Sequence, residues 1–168
     1  MALQQITTTS VTSATSSVTL NGIDDNSVHK IVVSNFIPSS DGQDMRIRVV
    51  QSGAPNTSSN YDLSARLIRS DTSAGSDAHT NSSSYDTSTA IGSSTGECAN
   101  FIFYIFNAFS GSEYTFFTQD AVQLSHTGIC IGRQGGGLFN GYSSVTGIQM
   151  YAGSGNIESG VFTLFKVI

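Results

Sequence analysis

Val145-Thr146-Gly147-Ile148-Gln149-Met150-Tyr151-Ala152-Gly153-Ser154-Gly155-Asn156-Ile157-Glu158-Ser159-Gly160-Val161-Phe162-Thr163-Leu164-Phe165-Lys166-Val167-Ile168 reads as strand, turn, strand. With a side-chain period of two, Val145, Gly147, Gln149 and Tyr151 share one face, and Thr146, Ile148 and Met150 the other. Gly153 to Gly160 holds three glycines and an asparagine, residues that reach positive φ at little cost, so it is read as the turn. Val161 to Ile168 is apolar or β-branched nearly throughout. That pattern predicts a strand covered on both faces and placed inside a sheet.

Working back from this hairpin, the chain keeps offering strands. Val18–Asp24 is a short one, followed by the turn cluster Asp24-Asp25-Asn26-Ser27. Val28–Ile37 is β-branched and ends at Pro38. Gln43–Gln51 alternates, with Met45, Ile47 and Val49 on one face and Arg46, Arg48 and Val50 on the other. Tyr61–Arg69 places Tyr61, Leu63, Ala65 and Leu67 together. Asn100–Phe109 is the most apolar run and predicts a central strand with cover on both faces. Glu113–Leu124 is its antiparallel partner across Ser110-Gly111-Ser112. Thr127–Arg133 follows, and Gln134-Gly135-Gly136-Gly137 is read as a turn. Ser70–Glu97 is mostly Ser, Thr, Asp, Gly and Ala; it is read as long loops around a partial strand at Ser84–Ile91.

Eight to ten short strands without a helix predict an all-β fold, a jelly-roll-like antiparallel β-sandwich spanning residues 18–168. Residues 1–17 are rich in Thr and Ser and too poor in apolar residues for a core of their own; they are read as an extended N-terminal arm.

Composition narrows the function classes. Charged residues are 11% of the 168, against about 25% in ordinary soluble proteins. The net charge is −5 and the pI about 4.8, with the seven Lys and Arg scattered. This speaks against nucleic-acid binding through phosphate neutralisation. No apolar run approaches the ~20 residues of a membrane helix, so no membrane partner is expected. Met1–Leu20 lacks the basic start and apolar centre of a secretory signal. The expectation is a product of a host cytoplasm that leaves by lysis.

No catalytic, cofactor-binding or metal-binding residue emerges. Cys98 and Cys130 lack zinc-site spacing and are read as buried free thiols, with a bridge between neighbouring strands as the alternative. His29, His79 and His126 are far apart and read as solvent-facing. Asp24, Asp25 and Asp41 lie in turns, where Asp bonds its own backbone; no calcium-loop pattern surrounds them. Gly132 to Gly137 lacks the Lys-Ser/Thr of a phosphate loop, and no Gly-x-Ser-x-Gly elbow exists. Tyr61, Tyr85, Tyr114, Tyr142 and Tyr151 offer an aromatic platform for sugars, or core packing.

The C-terminal residues also carry a resemblance. Gly147-Ile148, Ser154-Gly155-Asn156-Ile157, Ser159-Gly160 and Phe162-Thr163-Leu164 resemble the ending of small virion structural proteins of tailed phages, of the marine and cyanophage type. A looser likeness covers Gly96-Glu97 and Phe101–Asn107. The resemblance implies a non-enzymatic protein of the virion, on the capsid exterior: a capsid decoration or cement protein, standing as a homotrimer on the major capsid protein. Residues 1–17 and 70–97 would be its contact segments. A tail-fibre or receptor-binding head is the alternative, and a glycan-binding module a third.

Overall fold

The computed structural model describes residues 2–168, which form thirteen strands and no helix. They are β1 (Leu3–Val11), β2 (Val18–Asn21), β3 (His29–Pro38), β4 (Met45–Gln51), β5 (Ala54–Pro55), β6 (Tyr61–Arg69), β7 (Ala74–Ser82), β8 (Tyr85–Asp86), β9 (Ala99–Phe106), β10 (Thr115–Leu124), β11 (Cys130–Phe139), β12 (Gly147–Ala152) and β13 (Ile157–Val167). Eight build one sheet in the order β1-β13-β3-β9-β10-β11-β6-β7; β2-β12-β4-β5, with β8 against β4, build the other. Every pairing is antiparallel.

The fold is thus the expected all-β sandwich. The closing hairpin is split between layers: β12 lies in the small sheet and β13 in the large one. Gly155 supplies the left-handed residue of the turn between them (φ +73°). The two sheets are of unequal size, eight strands against five.

The core lies where the inner faces meet. Ile31, Val33 and Phe36 of β3, Phe101, Phe103 and Ile105 of β9, and Phe162 and Leu164 of β13 face Leu20, Met45, Ile47, Val49, Ile148 and Met150 of the small sheet. Phe36 meets both Phe101 and Phe162 edge-on, with ring centroids 6.3 and 6.4 Å apart, the arrangement the ring quadrupole favours. At the other end Tyr61 of the large sheet ties to the small one: its Oη accepts the Val49 N–H (3.0 Å) and donates to Asn56 O (2.9 Å).

Several expectations are corrected. Residues 134–137 are not a turn: they lie in the middle of β11, paired on both sides with β10 and β6. The glycines are there because the neighbours leave no room for a side chain. A Cβ on Gly137 would stand 2.1 Å from Asp62 O and 2.5 Å from Tyr85 Cε2, and one on Gly135 2.4 Å from Ser64 O. The polar stretch 70–97 contains the nine-residue strand β7 as well as the short β8; β7 has no large apolar residue and is held by its ladder to β6. Of the expected arm 1–17, Met1 lies outside the described residues, and Leu3–Val11 run along β13 as an edge strand, because the outer edge of β13 offers backbone partners. His29 is not solvent-facing but fully buried, its side chain carried inward by the alternation of β3. Cys98 is half-buried and Cys130 exposed, and both are free thiols. They flank Leu124 in adjacent ladders of β9, β10 and β11, about two strand spacings (~10 Å) apart, too far for a bridge.

Candidate interaction surface

The apolar alternation of β9 and β13 predicts cover on both faces, and the fold supplies it on one only. The small sheet covers Phe101, Phe103, Ile105, Phe162 and Leu164. The intervening residues point the other way, onto the open face of the large sheet. Cross-strand register places them in rows. Thr163, Val32, Ile102 and Asp120 form one, Phe165, Lys30, Tyr104 and Thr118 the next, and Phe106, Phe116 and Leu138 a third. Ile102 is 37% exposed, Val161 40%, Phe116 43% and Val122 48%.

This field has relief. A hollow of about 360 Å³ opens between Val32, Ile102 and Val122, with Asn100 and Asp120 at its rim. A second, of about 300 Å³, is lined by Val28, Tyr104, Phe106 and Val167. The face also carries charge within these rows: Lys30 lies 5.5 Å from the Tyr104 ring centroid, and Asp120 accepts a hydrogen bond from Gln134 Nε2 (2.9 Å).

The outer face of the small sheet is of a different kind. Arg46 pairs with Asp86 (3.3 Å) and Asp44 (3.6 Å), and Arg48 lies 4.7 Å from the Tyr151 ring centroid. Gln149 donates to Ser17 Oγ (3.3 Å). Those residues satisfy one another and are hydrated. The open face of the large sheet is the more apolar of the two, with Ile102, Phe116, Val122 and Val161 exposed on it.

The two segments expected to make contacts occupy the two edges of this same sheet, β1 at one end and β7 at the other. Each shows a row of backbone N–H and C=O groups without a strand partner on its outer side. β1 carries no charge and no proline, the devices that usually blunt an edge.

Among the described residues no group of three or more His, Cys, Asp or Glu side chains is placed to hold a metal. His79 pairs with Asp77 (2.9 Å), and His126 lies near Ala90 O (3.4 Å). Asp25 accepts the Ser27 N–H (2.9 Å), the local turn role read from sequence, whereas Asp41 accepts the N–H of the distant Ser93 (2.9 Å). The Lys166 ammonium, bonded to Asp25, holds that carboxyl down to about 2, helped by the Ser27 N–H. Tyr61 and Tyr85 are core residues, and burial pushes both phenols well above their ordinary range. Tyr142 is exposed and Tyr114 half-buried beside it at one loop end.

The open face was legible in part. The double-sided apolar pattern of β9 and β13 was in the sequence, but which of the two faces stays open depends on the reach of the small sheet. No protein-family model, no curated protein and no solved structure matches this chain.

Proposed function

We propose that this is a non-enzymatic assembly protein, a capsid decoration protein of a tailed phage that binds the outside of the shell as a homotrimer. The observation that carries the assembly reading is the open apolar face of the large sheet, bounded by two unpaired edges. It extends over roughly 20 Å across five strands and a similar length along them. That is roughly 400 Å², about half of the ~800 Å² per partner of a standard interface, and the β1 and β7 edges would supply the rest. The virion setting rests on the resemblance of the Ser154–Leu164 stretch, and the low charge of the chain accords with it.

In this reading the field around Ile102 and Val122 meets the major capsid protein or a neighbouring copy, and β1 and β7 add strand edges to the contact. Many such contacts repeated over a shell multiply their effect. The test is cryo-EM of the virion together with the copy number of this protein relative to the major capsid protein. A near-regular ratio with density on the shell is the expected result. A low copy number with density confined to the tail overturns it in favour of a tail-fibre head.

A further inference from the structure

The aromatic residues at one end of the sandwich are not used by the core or by the open face. Residues 107–114, between β9 and β10, and residues 140–146, between β11 and β12, meet there. Tyr142 is 60% exposed and Phe109 37%. The Tyr114 and Tyr142 rings lie with centroids 5.0 Å apart and planes at 42°, and Tyr142 Oη donates to Tyr114 Oη (2.8 Å). This bond holds the two rings as one shallow V and leaves the Tyr114 hydroxyl hydrogen free for another acceptor.

The loops that carry them are fixed from below. Ser110 Oγ accepts the N–H groups of Ser112 (3.3 Å) and Glu113 (3.1 Å). Ser144 Oγ donates to Phe109 O (2.9 Å), and the Val145 N–H to Ala108 O (2.7 Å). Gln51 Nε2 donates to Ser143 O (2.7 Å), and the Asn140 N–H to Asn60 O (2.9 Å). The aromatic pair is therefore pre-set rather than assembled on contact, which lowers the entropic cost of binding.

We infer that this loop end is a carbohydrate-binding site in which a pyranose stacks on the Tyr114–Tyr142 pair. The ring faces carry negative quadrupole charge, and the axial C–H groups of a pyranose carry positive partial charge. Glu113, exposed beside Tyr114, supplies a carboxylate acceptor for sugar hydroxyls, and the Tyr114 hydroxyl a donor. Two rings among short Ser and Gly residues match one or two sugar units. They fall far short of the ~800 Å² per side of a protein interface. The site lies on the loops and is separate from the sheet face proposed to bind the shell, so either can fail without the other.

The experiment is amide and aromatic NMR of the intact protein titrated with millimolar methyl glycosides of glucose, galactose, mannose, rhamnose and N-acetylglucosamine. Saturable shifts centred on Tyr114, Tyr142 and Glu113 are expected for at least one sugar. Tyr142→Ala then weakens that binding roughly tenfold or more, about 1.4 kcal/mol, while Tyr142→Phe retains most of it because the stacking face remains. Unchanged melting of both variants shows that folding is intact, as the exposure of Tyr142 leads one to expect. No saturable shift with any of the sugars overturns the inference, as does binding that survives Tyr142→Ala. Shifts at this loop produced only by a protein partner overturn it as well.

Discussion

The two halves of the eight-stranded sheet are held together by different physics. In the half made by β13, β3 and β9, large apolar side chains fill the space under the small sheet, and the Phe36, Phe101 and Phe162 rings interlock. In the half made by β11, β6 and β7, strands approach closely over glycines, and polar groups are buried. Arg133 is almost fully buried; its Nη2 reaches Asp77 (3.0 Å) and Asp86 O (3.1 Å). Beside it Gln119, also buried, donates to Thr87 O. One half rests on area removed from water, the other on close backbone fit and a few buried polar contacts that leave Arg133 Nε and Nη1 and Gln119 Oε1 without partners.

The largest expected effect lies in the apolar half. Phe162→Ala removes a fully buried ring that packs on Phe36, and a loss of about 3–5 kcal/mol is expected in urea unfolding. A loss below about 1 kcal/mol would show that the half does not depend on that cluster.

The polar half is tested by asymmetry. Asp77→Ala leaves the Arg133 guanidinium buried without its carboxylate and should cost about 3 kcal/mol. Asp77 is a quarter exposed on its side chain, so it can be hydrated alone. Arg133→Met should therefore cost much less, within about 1 kcal/mol of the parent. Equal losses in the two variants would mean that the pair itself, not the stranded charge, sets the energy.

Fit comes next. Gly137→Ala forces a methyl against Asp62 O and the Tyr85 ring and should cost about 1–3 kcal/mol by the same unfolding measurement. Gly128→Ala serves as the contrast. It meets no neighbouring atom, and its left-handed φ of +76° makes any loss a backbone effect alone, on the order of 1 kcal/mol.

The smallest effects are those of pH, and they fall in two windows. Burial holds the His29 pKa below its ordinary 6.5, so the fold prefers the neutral ring. The unfolded chain then binds the extra proton, and this contribution is full above pH 6.5 and declines as the pH falls below it. Asp25 has its carboxyl lowered from 3.8 to about 2. Its contribution is full above the unfolded value and is lost as the pH falls from about 4 towards 2. His29→Gln should flatten the upper part of a stability–pH curve and Asp25→Asn the lower part. A curve unchanged in both windows would contradict these assignments.

The same contrast explains which parts were legible. Gln43–Gln51 and Tyr61–Arg69 announce themselves because burial on one side selects apolar residues at every second position, and Met45, Ile47, Tyr61, Leu63 and Leu67 are buried as read. β7 leaves no such mark, since its ladder uses backbone groups that every residue carries. Gly135-Gly136-Gly137 misleads because glycine serves both tight turns and close strand approach; the two uses differ only in what stands opposite.

The sequence by itself determined the class of fold, the strands of the core and the alternation that places β13 within a sheet, since these follow from periodicity and apolar burial. It also carried the two-sided apolar character of β9 and β13. Only the tertiary structure decided that Leu3–Val11 is an edge strand, that β11 runs straight through its glycines, and that one face of the large sheet stays open. Those outcomes depend on which distant residues come to lie opposite one another, such as Asp62 and Tyr85 across from Gly137. They depend equally on how far a five-stranded layer reaches over an eight-stranded one.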